Sequence, residues 1–324
     1  MDERAPHRRT IFAGLAALGL GGLGAAAPGL ARADIGIMEN RASRISAPTD
    51  SYAPPTSLKT ILDIYKRMTA PVTVNGGGPF PFVADTGANQ SVISTELAAQ
   101  LGLPAGDSQQ LNGVAGVQTT QTVTARLALG ARTERLATLA VLPAAAIGGP
   151  GMLGLDQLDG ARLTLDFRNQ TLIIDQRALP GVGRTIALRA HRRDGQLTLV
   201  DADLAGLHVT AFLDSGAQNT IGNMALRQLA ITRYPTTPWK PIPIVSVTGQ
   251  TVDAEFADLP ALRVGGLTLP DWPVAFADMH IFHLWNLVDQ PAVVLGVDLM
   301  SRFEAVCLDF RKDQVLFRLP TRSS

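Results

Sequence analysis

From about residue 57 onward the chain alternates short apolar runs with clusters of Gly, Pro, Asn and Asp. Short runs rich in β-branched and aromatic residues, closed off by turn formers, predict strands, not helices. Residues 71–75 and 80–84 flank Gly76-Gly77-Gly78, and residues 198–203 and 207–213 flank Leu204-Ala205-Gly206, so each set predicts a hairpin. Helical signals are brief. Ser94 stands where it would cap a helix over 95–101 ended by Gly102, and Asn223 where it would cap one over 224–230. The predicted class is mainly all-β.

The pattern is written twice. Lys59-Thr60-Ile61-Leu62-Asp63-Ile64 matches Arg184-Thr185-Ile186-Ala187-Leu188-Arg189 in outline, and Val83-Ala84-Asp85-Thr86-Gly87-Ala88 matches Phe212-Leu213-Asp214-Ser215-Gly216-Ala217. Met152-Leu153-Gly154-Leu155-Asp156 then matches Val294-Leu295-Gly296-Val297-Asp298, and Leu165-Asp166-Phe167-Arg168 matches Leu308-Asp309-Phe310-Arg311. Four blocks in one order predict two similar lobes, 57–178 and 182–319, joined by a linker at 179–183. The second unit is longer mainly through an insertion over 278–291, read as a loop.

Composition changes this picture little. The 324 residues are 46% hydrophobic and 17% charged, a globular balance with room for two domains. Lys plus Arg and Asp plus Glu both number 28, which gives no basic surface for nucleic acid. Cys307 is the only cysteine, so an intramolecular disulfide, a thiolate zinc site and a Cys-X-X-Cys motif are all excluded; in the apolar run 303–310 it reads as a core residue. Residues 1–33 read as an export signal: Arg4, Arg8 and Arg9, an apolar stretch over 11–30, then Ala31-Arg32-Ala33. The run His7-Arg8-Arg9-Thr10-Ile11-Phe12 fits a twin-arginine signal and so a periplasmic location, with an uncleaved membrane anchor as the other reading. Residues 34–56 read as a flexible leader.

The chemistry lies in the acidic blocks. Asp85 and Asp214 each end an apolar strand and open an Asp-(Thr/Ser)-Gly-Ala turn. A carboxylate in such a place is costly unless it is paired or hydrogen-bonded. The glycines let the backbone turn sharply, and Thr86 and Ser215 offer hydroxyls to backbone across a lobe interface. Two such turns face to face would make two carboxylates share one proton, an acid and a base for hydrolysis. His280 and His283 beside Asp278 lack a third ligand at a clear spacing, and Trp285 reads as an anchor or lid for the insertion. Asp156 and Asp298 read as helix-start features, Asp166 and Asp309 as strand-end turns.

On these motifs the chain resembles the retropepsin-like aspartic peptidases, as a tandem, single-chain member. The resemblance covers nearly all of residues 57–319 and implies one closed β-barrel per lobe with an active site between them. It implies an aspartic endopeptidase with catalytic Asp85 and Asp214, supporting Thr86, Gly87, Ser215 and Gly216, an extended peptide as substrate, and neither metal nor other cofactor. Flap tips fall at Asn112-Gly113-Val114-Ala115-Gly116 and Val247-Thr248-Gly249-Gln250, making Gly113 and Gly249, with Asn89 and Gln218, the expected substrate-binding residues. Two departures stand out. Asn89 and Gln218 replace an Asp, and Leu155 and Val297 replace an Arg, so the Arg–carboxylate network that ties retroviral subunits together is missing from those positions. With both aspartates on one chain the expected unit is a monomer. Ala88 and Ala217 offer no hydroxyl to an ionised carboxylate, which predicts a working range nearer neutral pH than that of pepsin-like enzymes. A catalytically idle peptide-binding protein of the same fold is the competing expectation. A two-carboxylate glycosidase is disfavoured by only three Trp and three Tyr.

Overall fold

The computed structural model describes residues 19–20, 38–39, 56–59, 67–113, 116–130, 132, 134–158, 162–175, 184–193, 196–199, 202–245 and 251–320. The architecture is mostly β, in two lobes with short helices. In the first lobe, strand Thr69–Val74 pairs with Gly77–Ala84 on one side and Gly116–Leu129 on the other. The ring continues through Gly151–Leu153, Val92–Ser94 and Arg135–Leu142, which pairs back with Gly116–Leu129. Closure leaves these six strands no free edge. Among the described residues strand Ala105–Gly113 pairs with Gly116–Leu129 alone and projects from the barrel as a hairpin.

The second lobe repeats this plan. Thr210–Leu213 pairs with Gln196–Leu199 and Ala292–Leu295, and the order continues through Ile221–Gly222, Leu267–Phe276, Thr251–Val264 and Ala202–Leu204. Strand Lys240–Val245 pairs with Thr251–Val264, the second projecting hairpin. Short strands at Gly19–Leu20 and Met38–Glu39 add to this sheet.

A third, antiparallel sheet joins the lobes. Its order is Thr56–Lys59, Thr171–Asp175, Arg162–Asp166, Ala305–Asp309, Gln314–Arg318 and Thr185–Arg193. At its centre Thr164 lies opposite the buried Cys307, and Asp166 and Asp309 lie symmetrically about that point. Besides accepting from their own turns, these aspartates meet arginines of the other lobe: Arg162 Nε donates to Asp309 at 2.9 Å, and Arg318 lies 3.7 Å from Asp166. The linker proposed at 179–183 lies outside the described residues.

This sheet corrects one sequence match. Lys59 lies opposite Thr171, five residues past Asp166, and Arg189 lies opposite Gln314, five residues past Asp309. Lys59 therefore corresponds to Arg189, not Arg184. An apolar outline without a fixed polar marker leaves strand register open, and only the partner strand decides it.

Of the two expected helices, α1 spans Thr95–Gln100 with Ser94 Oγ accepting from Leu97 N–H at 2.9 Å. The second, which follows α2 (Ala144–Ile147) and α3 (Leu155–Leu158), is α4. It runs Met224–Arg233, three residues beyond the expected end, with Asn223 capping at 2.8 Å. The insertion is not all loop. It carries α5 (His280–Leu284), and Trp285 stacks on Phe212 with ring centroids 4.0 Å apart. Helix α6 is Val297–Met300.

Candidate active site

The two acidic turns face each other between the lobes. Strand Gly77–Ala84 delivers Asp85 and strand Thr210–Leu213 delivers Asp214; the side chains are 0% and 1% exposed. Each strand runs parallel to the strand before a Gly block, and that block holds the aspartate's own amide. Asp85 N–H donates to Leu153 O at 3.0 Å, Asp214 N–H to Leu295 O at 3.1 Å. Each carboxylate then accepts from its own turn: Asp85 Oδ1 from Gly87 and Ala88 N–H at 2.8 and 3.0 Å, Asp214 Oδ1 from Gly216 and Ala217 at 2.8 and 3.3 Å.

Thr86 and Ser215 lock the turns across the interface. Thr86 Oγ1 donates to Leu213 O at 3.0 Å and accepts from Ser215 N–H at 3.0 Å. Ser215 Oγ donates to Ala84 O at 2.8 Å and accepts from Thr86 N–H at 3.1 Å. All four bonds are buried, where they are worth most and cost most to lose. The glycines are fixed by contact with the opposite lobe. A Cβ at Gly87 would sit 2.2 Å from Asp214 Oδ2, and one at Gly216 2.3 Å from Asp85 Cγ.

The pair's electrostatics follow from this packing. Burial, then the neighbouring Asp214 carboxyl within hydrogen-bonding reach, pushes Asp85 well above the usual carboxylate range, against the opposing pull of the Gly87 amide and the field of Arg67. Asp85 Oδ2 is buried and accepts no hydrogen bond among the described residues.

Asn89 and Gln218 follow the turns, half-buried; Gln218 Oε1 is a buried acceptor to which no described donor bonds. Gly113 ends the first projecting hairpin, pairing with Gly116, while Gly249 lies outside the described residues. His283 Nε2 is 2.7 Å from Asp278 Oδ1, and no group of three or more metal-binding side chains occurs among the described residues.

Two supports escape the sequence reading. Asp156 accepts from Ser91 Oγ at 2.7 Å, and that hydroxyl accepts from Gly154 N–H at 3.0 Å. Asp298 accepts from Thr220 Oγ1 at 2.8 Å, and that hydroxyl accepts from Gly296 N–H at 3.1 Å. These carboxylates, raised by burial, anchor hydroxyls that fix the Gly blocks beneath the dyad, beyond any role at a helix start. The signal was available: Ser91 and Thr220 each stand six residues past the aspartate of their turn. The second support is Arg67, 0% exposed, whose Nη2 donates to Ile147 O at 2.9 Å and Nη1 to Gly216 O at 3.4 Å. It has no equivalent in the repeat, so no pattern marks it.

No curated protein matches the chain. The family model described as aspartyl protease matches residues 70–157 and again 200–299, once over each acidic turn and its Gly block and together over more than half the sequence. With a duplicated fold, facing Asp-(Thr/Ser)-Gly turns and this double match, the chain belongs to the aspartyl protease family.

Proposed function

We propose that the protein is an aspartic endopeptidase that works with Asp85 and Asp214 on one chain, as a monomer. The observation that carries the reading is the buried pair itself: two carboxyls in hydrogen-bonding reach, each held by two backbone amides and by a hydroxyl lock across the lobes. Two carboxylates that close cannot both ionise in a buried site, so one proton is shared. The ionised member takes a proton from water as its oxygen adds to the scissile carbonyl carbon. The protonated member gives its proton to the carbonyl oxygen. When the resulting gem-diol collapses, the carboxyl that took the water's proton gives it to the departing nitrogen while the other, now ionised, takes a proton from a diol hydroxyl. The C–N bond breaks and the pair regains its single proton.

An extended peptide fits between the projecting hairpins, its backbone pairing by strand addition. Gln218 Oε1 supports this as a buried acceptor for a substrate N–H, with Asn89 as its counterpart and Gly113 at the end of its hairpin strand; the sequence motif adds Gly249. The twin-arginine pattern over residues 7–12 supports a periplasmic location, dependent on Arg8 and Arg9. Digestion of a peptide library by residues 34–324, read by mass spectrometry, tests the reading. Internal cleavage lost in Asp85→Asn and in Asp214→Asn is expected. Peptide binding without cleavage by the unsubstituted protein would identify an idle binding protein instead.

A further inference from the structure

Among the described residues the turn amides, the hydroxyl lock and the Gly-block relays recur in both lobes, and Arg67 does not. Register identifies the exception: Thr69 lies opposite Val83 as Thr198 lies opposite Phe212, and Val83 and Phe212 each stand two residues before their aspartate. Arg67, two residues before Thr69, thus corresponds to Gln196. One lobe brings a guanidinium to the seam, the other brings none at that position. From the first lobe Arg67 reaches the carbonyl of Gly216 inside the second lobe's catalytic turn, while its other terminal nitrogen bonds Ile147 at the end of α2.

We propose that Arg67 is a positioning residue of the catalytic pair: it holds the Asp214 turn by the Gly216 carbonyl and balances the single negative charge that the two carboxyls carry between them. The inference rests on the reading of Asp85 and Asp214 as that pair. Its physical basis is charge matching in a dry seam. A dyad sharing one proton is a buried monoanion, and Arg67, fully withdrawn from water, is a buried monocation; either alone is costly. One negative charge needs one cation, which explains why a duplicated site keeps an arginine on one side only. Among the described residues the charged groups that act on Asp85 are Asp214, from the opposite turn, and Arg67, from the segment ahead of strand Thr69–Val74. Asp214 disfavours ionisation of Asp85 and Arg67 favours it, so Arg67 keeps the pair singly charged to lower pH than burial would allow.

Two measurements on the full chain test this. In the first, the acid limb of the kcat/KM–pH profile is expected to move to higher pH in Arg67→Met by about one unit, close to a tenfold loss at a pH below the limb. Arg67→Lys should recover part of the shift. In the second, melting temperature is read at neutral pH for Arg67→Met in the wild-type background and in a chain carrying both Asp85→Asn and Asp214→Asn. With the anion removed, the cost of losing the cation should shrink by at least about 2 °C. A variant too unstable to fold alone should fold in the doubly substituted background. An unmoved acid limb, an equal melting cost in both backgrounds, or no recovery of folding overturns the proposal. The melting cycle needs no turnover, so it still reads the charge balance if the chain proves not to cleave peptides.

Discussion

In the first lobe Leu153 receives the amide of Asp85 and Ser91 links Gly154 to Asp156; in the second, Leu295 receives that of Asp214 and Thr220 links Gly296 to Asp298. The hydroxyl lock is reciprocal, each lobe donating one side-chain bond and accepting another. Away from the seam the copies diverge. The second lobe has α5 and Trp285 stacked on Phe212, where the first has the single turn of α2. Around the two aspartates symmetry persists where buried polar groups complete one another's hydrogen bonds, within a lobe in the relays and across the lobes in the lock, because a change there strands a buried polar group. Where only apolar packing is at stake, core volume can be met in different ways. Arg67 is the exception within the seam, and a charge of one explains it.

The comparison breaks most severely at the carboxyls. Asp85→Asn and Asp214→Asn are each expected to lower kcat/KM at least about a thousandfold, since neither carboxyl can be acid and base together. Unequal residual activity would separate their roles. Stability should move the other way. Asp85 titrates above the usual carboxylate range in the folded protein, so its contribution to stability is full in strong acid and is lost as pH rises through that raised value. The melting advantage of Asp85→Asn over wild type should therefore be absent in strong acid and grow toward neutral pH.

Next come the glycines. Gly87→Ala and Gly216→Ala each place a methyl within 2.2–2.3 Å of the opposite carboxyl, so both should lose activity by a factor of a hundred or more, on the order of what small misplacements of catalytic groups cost. Equal losses would show that the turns are interchangeable. Trp285→Ala tests the divergent region, with an expected cost of ~3–5 kcal/mol in thermal unfolding for deleting a buried indole. It should also lower activity, because Phe212 lies two residues before Asp214. The smallest effect concerns Ala88. Ala88→Thr supplies a hydroxyl that can donate to the ionised carboxyl, which should move the acid limb to lower pH by less than about one unit. A wild-type optimum in strong acid, or a limb that moves upward, would show that another interaction controls the pair.

Much of this was legible because the informative features are local. An apolar strand ending in Asp-(Thr/Ser)-Gly-Ala carries its own turn chemistry, and a duplicated motif implies a partner to face it. The Ser94 and Asn223 caps are likewise short-range. Position 67 shows the opposite case: an arginine beside an apolar run reads as surface, and only the approach of a turn 149 residues away makes it buried and useful. The offset of Lys59 against Arg189 has the same origin, since register belongs to the strand pair. By itself the sequence determined the class of fold, the duplication and the two aspartates. Tertiary structure alone decided the sheet that joins the lobes, the hydroxyl relays to Asp156 and Asp298, and the placement of one guanidinium beside a shared negative charge. The physical reason is that a hydrogen bond or counter-charge between distant segments leaves no periodicity in either; it exists only once folding has brought both out of water.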